Sequence, residues 1–74
     1  MNEEIYQNLA NAIVQQAAKD YIKALKQKKK YPNNPEANSQ IRELKRFFHS
    51  GWYGMLTKVD GDYLIRALEQ KVAL

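Results

Sequence analysis

The sequence predicts an all-α fold, a small helical bundle in which a long N-terminal helix packs as a hairpin on a second helix, followed by two short helices. Apolar residues recur at spacings of three and four over long stretches, which is the period of a helix buried on one side. No stretch of four or more residues alternates as a half-buried strand does. With only 74 residues, we expect one helical domain over residues 1–74.

The first predicted helix runs from about Glu3 to Lys29. Acidic residues at its start and a lysine cluster at its end both suit the helix dipole. Its apolar positions define one predicted buried stripe: Ile5, Leu9, Ile13, Ala17, Tyr21, Ala24 and Leu25.

The segment YPNNPEANS separates the first helix from the second. Pro32 cannot continue a helix and forces the residue before it out of helical geometry. Asn34 can cap a new helix, with Pro35 at its first position and an acid in its first turn. The second helix is therefore predicted from Pro35 to about His49. Its apolar stripe consists of Ala37, Ile41, Leu44 and Phe48.

Two short helices complete the predicted fold. Ser50 is a suitable cap for a helix from about Gly51 to Thr57, and Asp60 is a suitable cap for one from Gly61 to about Val72. Four apolar residues of the last helix are predicted to face inward: Leu64, Ile65, Leu68 and Val72.

Aromatic residues are concentrated in RFFHSGWYGMLTKVDGDYLI, residues 46–65, which contains five of the eight in the chain. One interpretation is structural: Phe47, Phe48, Trp52 and Tyr53 close the bundle as an apolar plug. The alternative is a recognition surface, because rings adjacent on a helix cannot both point inward and at least one should be exposed. The residues of that candidate aromatic patch are Phe47, Trp52, Tyr53 and Tyr63.

Basic residues form two predicted stripes. One stripe on the first helix consists of Lys19, Lys23, Lys26 and Lys30, and one on the second consists of Arg42, Lys45, Arg46 and His49. Basic stripes beside aromatic rings are suited to holding phosphates and stacking bases. A charged stripe opposite an apolar one is also the ordinary solvated side of an amphipathic helix, so both interpretations stay open.

Composition narrows the function classes. The net charge of +4 favours anionic partners. The start, MNEEIYQNL, is acidic where a secretory signal is basic, and no apolar run approaches the ~18 residues that span a bilayer, so we expect a cytoplasmic protein without a membrane partner.

The chain has no Cys and one His, which leaves no zinc cluster and no nucleophile with an evident activator. We therefore predict no cofactor and no enzyme activity, and consider a homo-oligomer, because so small a core gains from self-association.

A resemblance adds biological context. The segment RFFHSGWYGMLTKVDGDYLIRAL, preceded by NLANAIVQQAAKDYIKAL, resembles a family of small uncharacterised proteins associated with prophages of Firmicute bacteria. The most specific part is the aromatic pair followed by Ser50, Trp52, Leu56, Thr57, Val59, Asp60, Gly61, Tyr63, Leu64 and Ile65. The resemblance implies a phage accessory protein that acts in the host cytoplasm.

Three functions are compatible with these observations. The preferred prediction is an anti-defence inhibitor that binds a host protein or nucleoprotein complex, such as a CRISPR effector. The second is a nucleic-acid-binding accessory of phage replication or regulation. The third is an oligomeric protein that sequesters a signalling nucleotide between arginines and rings of neighbouring subunits.

Overall fold

The four predicted helices are all present in the computed structural model, which describes residues 2–73, with side chains from residue 4 onward. They are α1 (Asn2–Lys30), α2 (Pro35–Phe48), α3 (Gly51–Leu56) and α4 (Gly61–Ala73). Each boundary lies within one residue of its prediction, and residues 2–73 contain no strand. The all-α fold is confirmed.

Side-chain caps explain where two of the helices begin. The Asn34 Oδ1 atom accepts hydrogen bonds from the backbone N–H groups of Glu36 at 3.0 Å and Ala37 at 3.4 Å. The Ser50 Oγ atom accepts one from the N–H of Tyr53 at 3.1 Å. Both residues have extended backbone dihedrals, as expected of caps that satisfy otherwise unpaired N–H groups in the first turn.

The three longer helices pack alongside one another. The short 31–34 loop turns α2 back along α1, and α4 then runs antiparallel to α2. Side-chain contacts show the direction of α4. Asp62 at its start meets His49 at the end of α2, and Glu69 near its other end accepts a hydrogen bond from Tyr21 of α1. The bundle measures 46 × 22 × 17 Å, and its long dimension matches the ~43 Å expected for a helix of 29 residues.

The core is organised around three aromatic rings. Tyr21 and Phe48 are fully buried, and Tyr53 is 3% exposed. Phe48 makes edge-to-face contacts with both tyrosine rings at centroid distances of 5.7 Å, a favourable aromatic geometry. The aromatic plug is therefore confirmed for Phe48 and Tyr53. The remaining buried members of the core are Ala17, Ala24, Ile41, Ile65 and Leu68.

Gly61 allows α4 to begin directly against the end of α2. A Cβ atom at this position would overlap the backbone carbonyl oxygen of Phe48, so a larger residue would push the two helices apart. The backbone carbonyl of Asp60 accepts the first helical bond of α4, from Leu64 N at 3.0 Å. The Asp60 carboxylate meets the N–H of Asp62 at 3.4 Å, and this agrees with the cap that the sequence predicts.

The predicted buried stripe of α1 is wrong over its first third. Ile5 and Leu9 are both exposed, although they continue the helical spacing of the buried Ala17 and Tyr21. One reason is rotation, because positions four apart turn by about 40° per step and Ile5 lies about 160° from Tyr21 around the helix. The other is the length of α1, since its N-terminal part extends beyond α2 and α4 and meets only the six-residue helix α3. Apolar periodicity marks the face of a helix, but it does not ensure that another element covers that face.

Candidate functional site

Large apolar side chains are exposed where the start of α1 meets α3. Tyr6 and Leu9 of α1 and Trp52 and Met55 of α3 are between 56% and 86% exposed, and so is Ile5 one turn before Leu9. The groove between the two helices has a volume of about 320 Å³ and is lined by Tyr6, Leu9, Ala10, Ile13, Trp52, Met55 and Leu56. We call the region formed by residues 5–13 and 52–56 the uncharged surface.

A second apolar groove continues from the first along α1. The two grooves share Ile13, and the second is lined further by Gln16, Ala17, Asp20, Leu44 and Phe47. Phe47 is half-buried and contacts Trp52 edge to face at a centroid distance of 5.4 Å. The Phe47 ring therefore links the core to the exposed indole and fixes the position of Trp52.

Charged residues are absent from this region of the sequence. No Asp, Glu, Lys, Arg or His occurs from residue 5 to 18 or from residue 50 to 57, although 27% of the chain is charged. Asn and Gln supply most of the polar side chains of α1 here. Soluble proteins normally place charges on exposed helices, and charge depletion is typical of the centre of a protein interface.

The structure corrects the predicted aromatic patch. Tyr53 belongs to the core because its ring packs between Phe47 and Phe48, so it cannot contact a partner directly. Tyr63 is 63% exposed but lies on the side of α4 opposite the buried Ile65 and Leu68, away from the grooves. Of the four predicted residues, the structure therefore brings only Phe47 and Trp52 together at one surface.

Sequence reasoning missed the contribution of α1 and of Met55 to the exposed apolar region. The spacing of Ile5 and Leu9 fits an amphipathic stripe and therefore predicts a core position for both. The charge-free run from residue 5 to 18 is the signal that could have identified them. The solvent side of an amphipathic helix is polar and usually includes charged residues. An exposed helix segment without any charged residue is therefore unusual.

Four of the six lysines of α1 share one solvent-facing side of the helix. At 100° per residue, Lys19, Lys23, Lys26 and Lys30 lie opposite the buried Ala17, Tyr21 and Ala24. All four are exposed, and none forms an ion pair with a carboxylate among the residues that the structure describes. We call this stripe the lysine face.

The basic residues of α2 form a different surface. The Lys45 Nζ atom lies 3.8 Å from a Glu69 carboxylate oxygen, and the His49 Nε2 atom lies 2.5 Å from Asp62 Oδ1. The hydrogen bond from His49, together with its charge, holds the pKa of the Asp62 carboxyl below its usual range. Two members of this stripe, Lys45 and His49, thus contact α4, whereas the lysine face is directed away from the bundle.

The two predicted basic stripes therefore lie on different sides of the bundle. Arg42 and Arg46 are exposed, but they belong to the α2 surface and do not share a groove with the lysines of α1. The two helices turn their basic sides in different directions, because each must turn its apolar side towards the same core.

Two buried tyrosines have perturbed ionisation. Burial raises the pKa of Tyr21, and the hydrogen bond from its hydroxyl to Glu69 raises it further. Burial and the nearby Asp60 charge raise the pKa of Tyr53. Within the described part of the chain, no three His, Cys, Asp or Glu residues are grouped as metal ligands.

Comparisons with protein-family models, curated proteins and solved structures gave no match. The resemblance to prophage proteins stays a prediction. None of the helices within residues 2–73 combines the length and the apolar character that crossing a membrane requires.

Proposed function

We propose that this chain is a non-enzymatic binding protein that contacts another protein through its uncharged surface. The observation that supports this proposal best is the group of five large apolar side chains, each more than half exposed, in a region of the chain without charge. A contiguous exposed apolar patch rimmed by polar residues marks interaction sites in soluble proteins.

The composition of the surface is that of an interface. Trp and Tyr are the residues that contribute most to binding when a partner removes them from water. Trp52 is held in place by its contact with Phe47, so little side-chain entropy is lost when it is covered. Amide side chains at the rim supply hydrogen bonds without the desolvation cost of charges.

The resemblance to prophage proteins gives this proposal a biological context. A short non-enzymatic phage protein in the host cytoplasm would act by occupying a surface that the host needs. We therefore propose an anti-defence role in which the partner is a host protein or nucleoprotein complex.

Capture of partners by the immobilised protein tests the proposal. Trp52→Ala should greatly reduce the protein recovered from bacterial lysate after nuclease treatment, because it removes the largest ring of the uncharged surface while α3 keeps its cap. Tyr63→Ala is the matched control, since it removes another exposed ring from outside the surface and should leave capture unchanged.

Circular dichroism of each variant separates loss of binding from loss of fold. Trp52→Ala should stay helical, because the indole is 56% exposed. Equal capture by wild type and Trp52→Ala, with both folded, would contradict the proposal.

A second candidate function is supported by the lysine face. Four lysines on one side of a helix, without carboxylate partners in the described part of the chain, repel one another, and an anionic partner would relieve this repulsion. If that partner is nucleic acid, changing Lys23 and Lys26 to Gln should weaken binding and reduce the dependence of affinity on salt. The control is Lys45→Gln, because Lys45 belongs to the other basic surface. An unchanged salt dependence in the double variant would exclude this function.

A further inference from the structure

We propose that the occupant of the uncharged surface is a second copy of this chain, bound with the two α1 helices antiparallel. This inference rests on the proposed function, in that the surface binds protein. It names the occupant of the surface in the free protein, with which a host partner would compete for the same residues. The two-fold axis passes near Leu9, so that Leu9 faces Leu9 of the second copy and Ile5 faces Ile13 of the second copy.

Electrostatic repulsion favours this surface over the other surfaces of the chain as the contact between two copies. Two chains that each carry a net charge of +4 repel one another, most strongly where lysines or arginines approach. Residues 5–18 and 50–57 contain no charge, so this region brings the fewest like charges together. A strongly charged heterologous partner would find no complementary charge within the same residues.

The antiparallel direction follows from the uneven charge distribution of α1. Its lysines are confined to residues 19–30, while its exposed apolar residues lie before Ile13. In a parallel pair, the two lysine-rich ends would lie side by side. In an antiparallel pair centred on Leu9, the two lysine-rich segments lie at opposite ends of the contact and do not face each other.

The spacing of the apolar residues suits a two-fold pair. Ile5, Leu9 and Ile13 follow one another at intervals of four, which places them on one ridge of α1. A two-fold contact must be self-complementary, and a ridge with a central Leu and an Ile on either side is unchanged when it is reversed. Trp52 and Met55 of α3 lie beside this ridge and would extend the contact on both sides.

The exposed area is sufficient for such a pair. A large side chain has about 150–250 Å² of surface, a range taken from aromatic residues, so five that are between 56% and 86% exposed present about 500–800 Å². That value is at or above the upper end of the patches found on monomers. Two copies would bury up to about 1,000–1,600 Å² from these residues alone, which reaches the size of a specific interface.

The mass of the protein in solution tests this inference. Sedimentation of the full chain over a dilution series should give twice the 8.6 kDa of one chain at high concentration and a monomer at low concentration. Leu9→Lys should weaken association by about tenfold or more, because it places two lysines opposite each other at the centre of the contact. Tyr63→Lys, which adds the same charge outside the surface, should associate nearly as the wild type does.

A second variant guards against an effect of Leu9→Lys on folding. Met55 is the most exposed of the five residues, so Met55→Lys should stay folded and should also weaken association. Because the chain has no Cys, Leu9→Cys provides a further measurement. Oxidation should join two copies of Leu9→Cys by a disulfide, whereas Tyr63→Cys should give little covalent dimer.

The outcomes separate this inference from the proposed function. A wild-type chain that stays monomeric at every concentration overturns the dimer, and loss of lysate capture in Trp52→Ala would then still support a different protein partner. Dimers that are equally stable with Leu9→Lys and Met55→Lys also overturn the inference, because the contact would lie elsewhere. Monomeric wild type with undiminished capture by Trp52→Ala would reject both proposals.

Discussion

Replacing Tyr53 by Phe should stabilise the protein, which is an uncommon result for a buried residue. The Tyr53 hydroxyl oxygen is buried and has no hydrogen-bond partner among the residues that the structure describes. A buried polar group without a partner costs about 1–3 kcal/mol. Phe removes this cost while keeping the edge-to-face contacts of the ring with Phe47 and Phe48. We expect the free energy of unfolding to rise by about 1 kcal/mol, after allowing for the small void that the oxygen leaves.

Tyr21→Phe is the matched variant and should have the opposite effect. Tyr21 is also a fully buried ring in edge-to-face contact with Phe48, but its hydroxyl donates to Glu69 Oε2 at 3.0 Å. Removing this donor loses a hydrogen bond to a charged acceptor. Glu69 is partly exposed and keeps Lys45 nearby, so water and lysine compensate in part. We expect a loss of about 1 kcal/mol.

Thermal and urea unfolding followed by circular dichroism would measure both variants. For a domain of this size, 1 kcal/mol corresponds to a change in Tm of about 4–8 °C, so the two variants should differ from each other by about 8–16 °C. Protein concentration must be held constant, because self-association adds to apparent stability. A Tyr53→Phe variant as destabilised as Tyr21→Phe would refute the reasoning, since it would mean that the Tyr53 hydroxyl has a partner.

Two further predictions concern the start of α4. Gly61→Ala should destabilise the protein by about 2 kcal/mol or more, because the new methyl group meets the Phe48 carbonyl. Gly51→Ala is the control and should be nearly neutral, because Gly51 has open space around it. Equal urea midpoints for the two variants would contradict the close packing at Gly61. Because His49 lowers the pKa of Asp62, the pair contributes stability above the ordinary carboxyl pKa of about 3.9 and loses it as the pH falls through the lowered value. The difference in Tm between wild type and Asp62→Asn should therefore be present at neutral pH and shrink in acid, and a difference that does not vary with pH would show that the pair is not formed.

The positions of the helices could be predicted from the sequence because local chemistry determines them. Asn34 and Ser50 accept hydrogen bonds from the N–H groups that a new helix leaves unpaired, and proline and glycine interrupt the pattern where the chain turns. Such signals involve residues only a few positions apart. They identify the start of a helix without any knowledge of the rest of the fold.

The functional surface could be predicted only in part, because it depends on what the fold leaves uncovered. The same apolar spacing continues from Ile5 to Tyr21, yet only the second half is buried, since a spacing of four slowly rotates around the helix and α2 and α4 are too short to reach the first half. The sequence also correctly predicts that at least one ring of the aromatic stretch is exposed, but only packing decides that Trp52 is exposed and Tyr53 is buried. Exposure of this kind is a property of the whole arrangement of helices.

The 31–34 loop has a practical consequence for experiments. Asn33 is exposed at the tip of the turn between α1 and α2, at the end of the molecule opposite α3. Because the native chain has no Cys, Asn33→Cys would create a unique attachment point for a spin label or a fluorophore. A probe there would leave the helices, the lysine face and the uncharged surface intact. It would also report distances along the full length of any assembly that this protein forms.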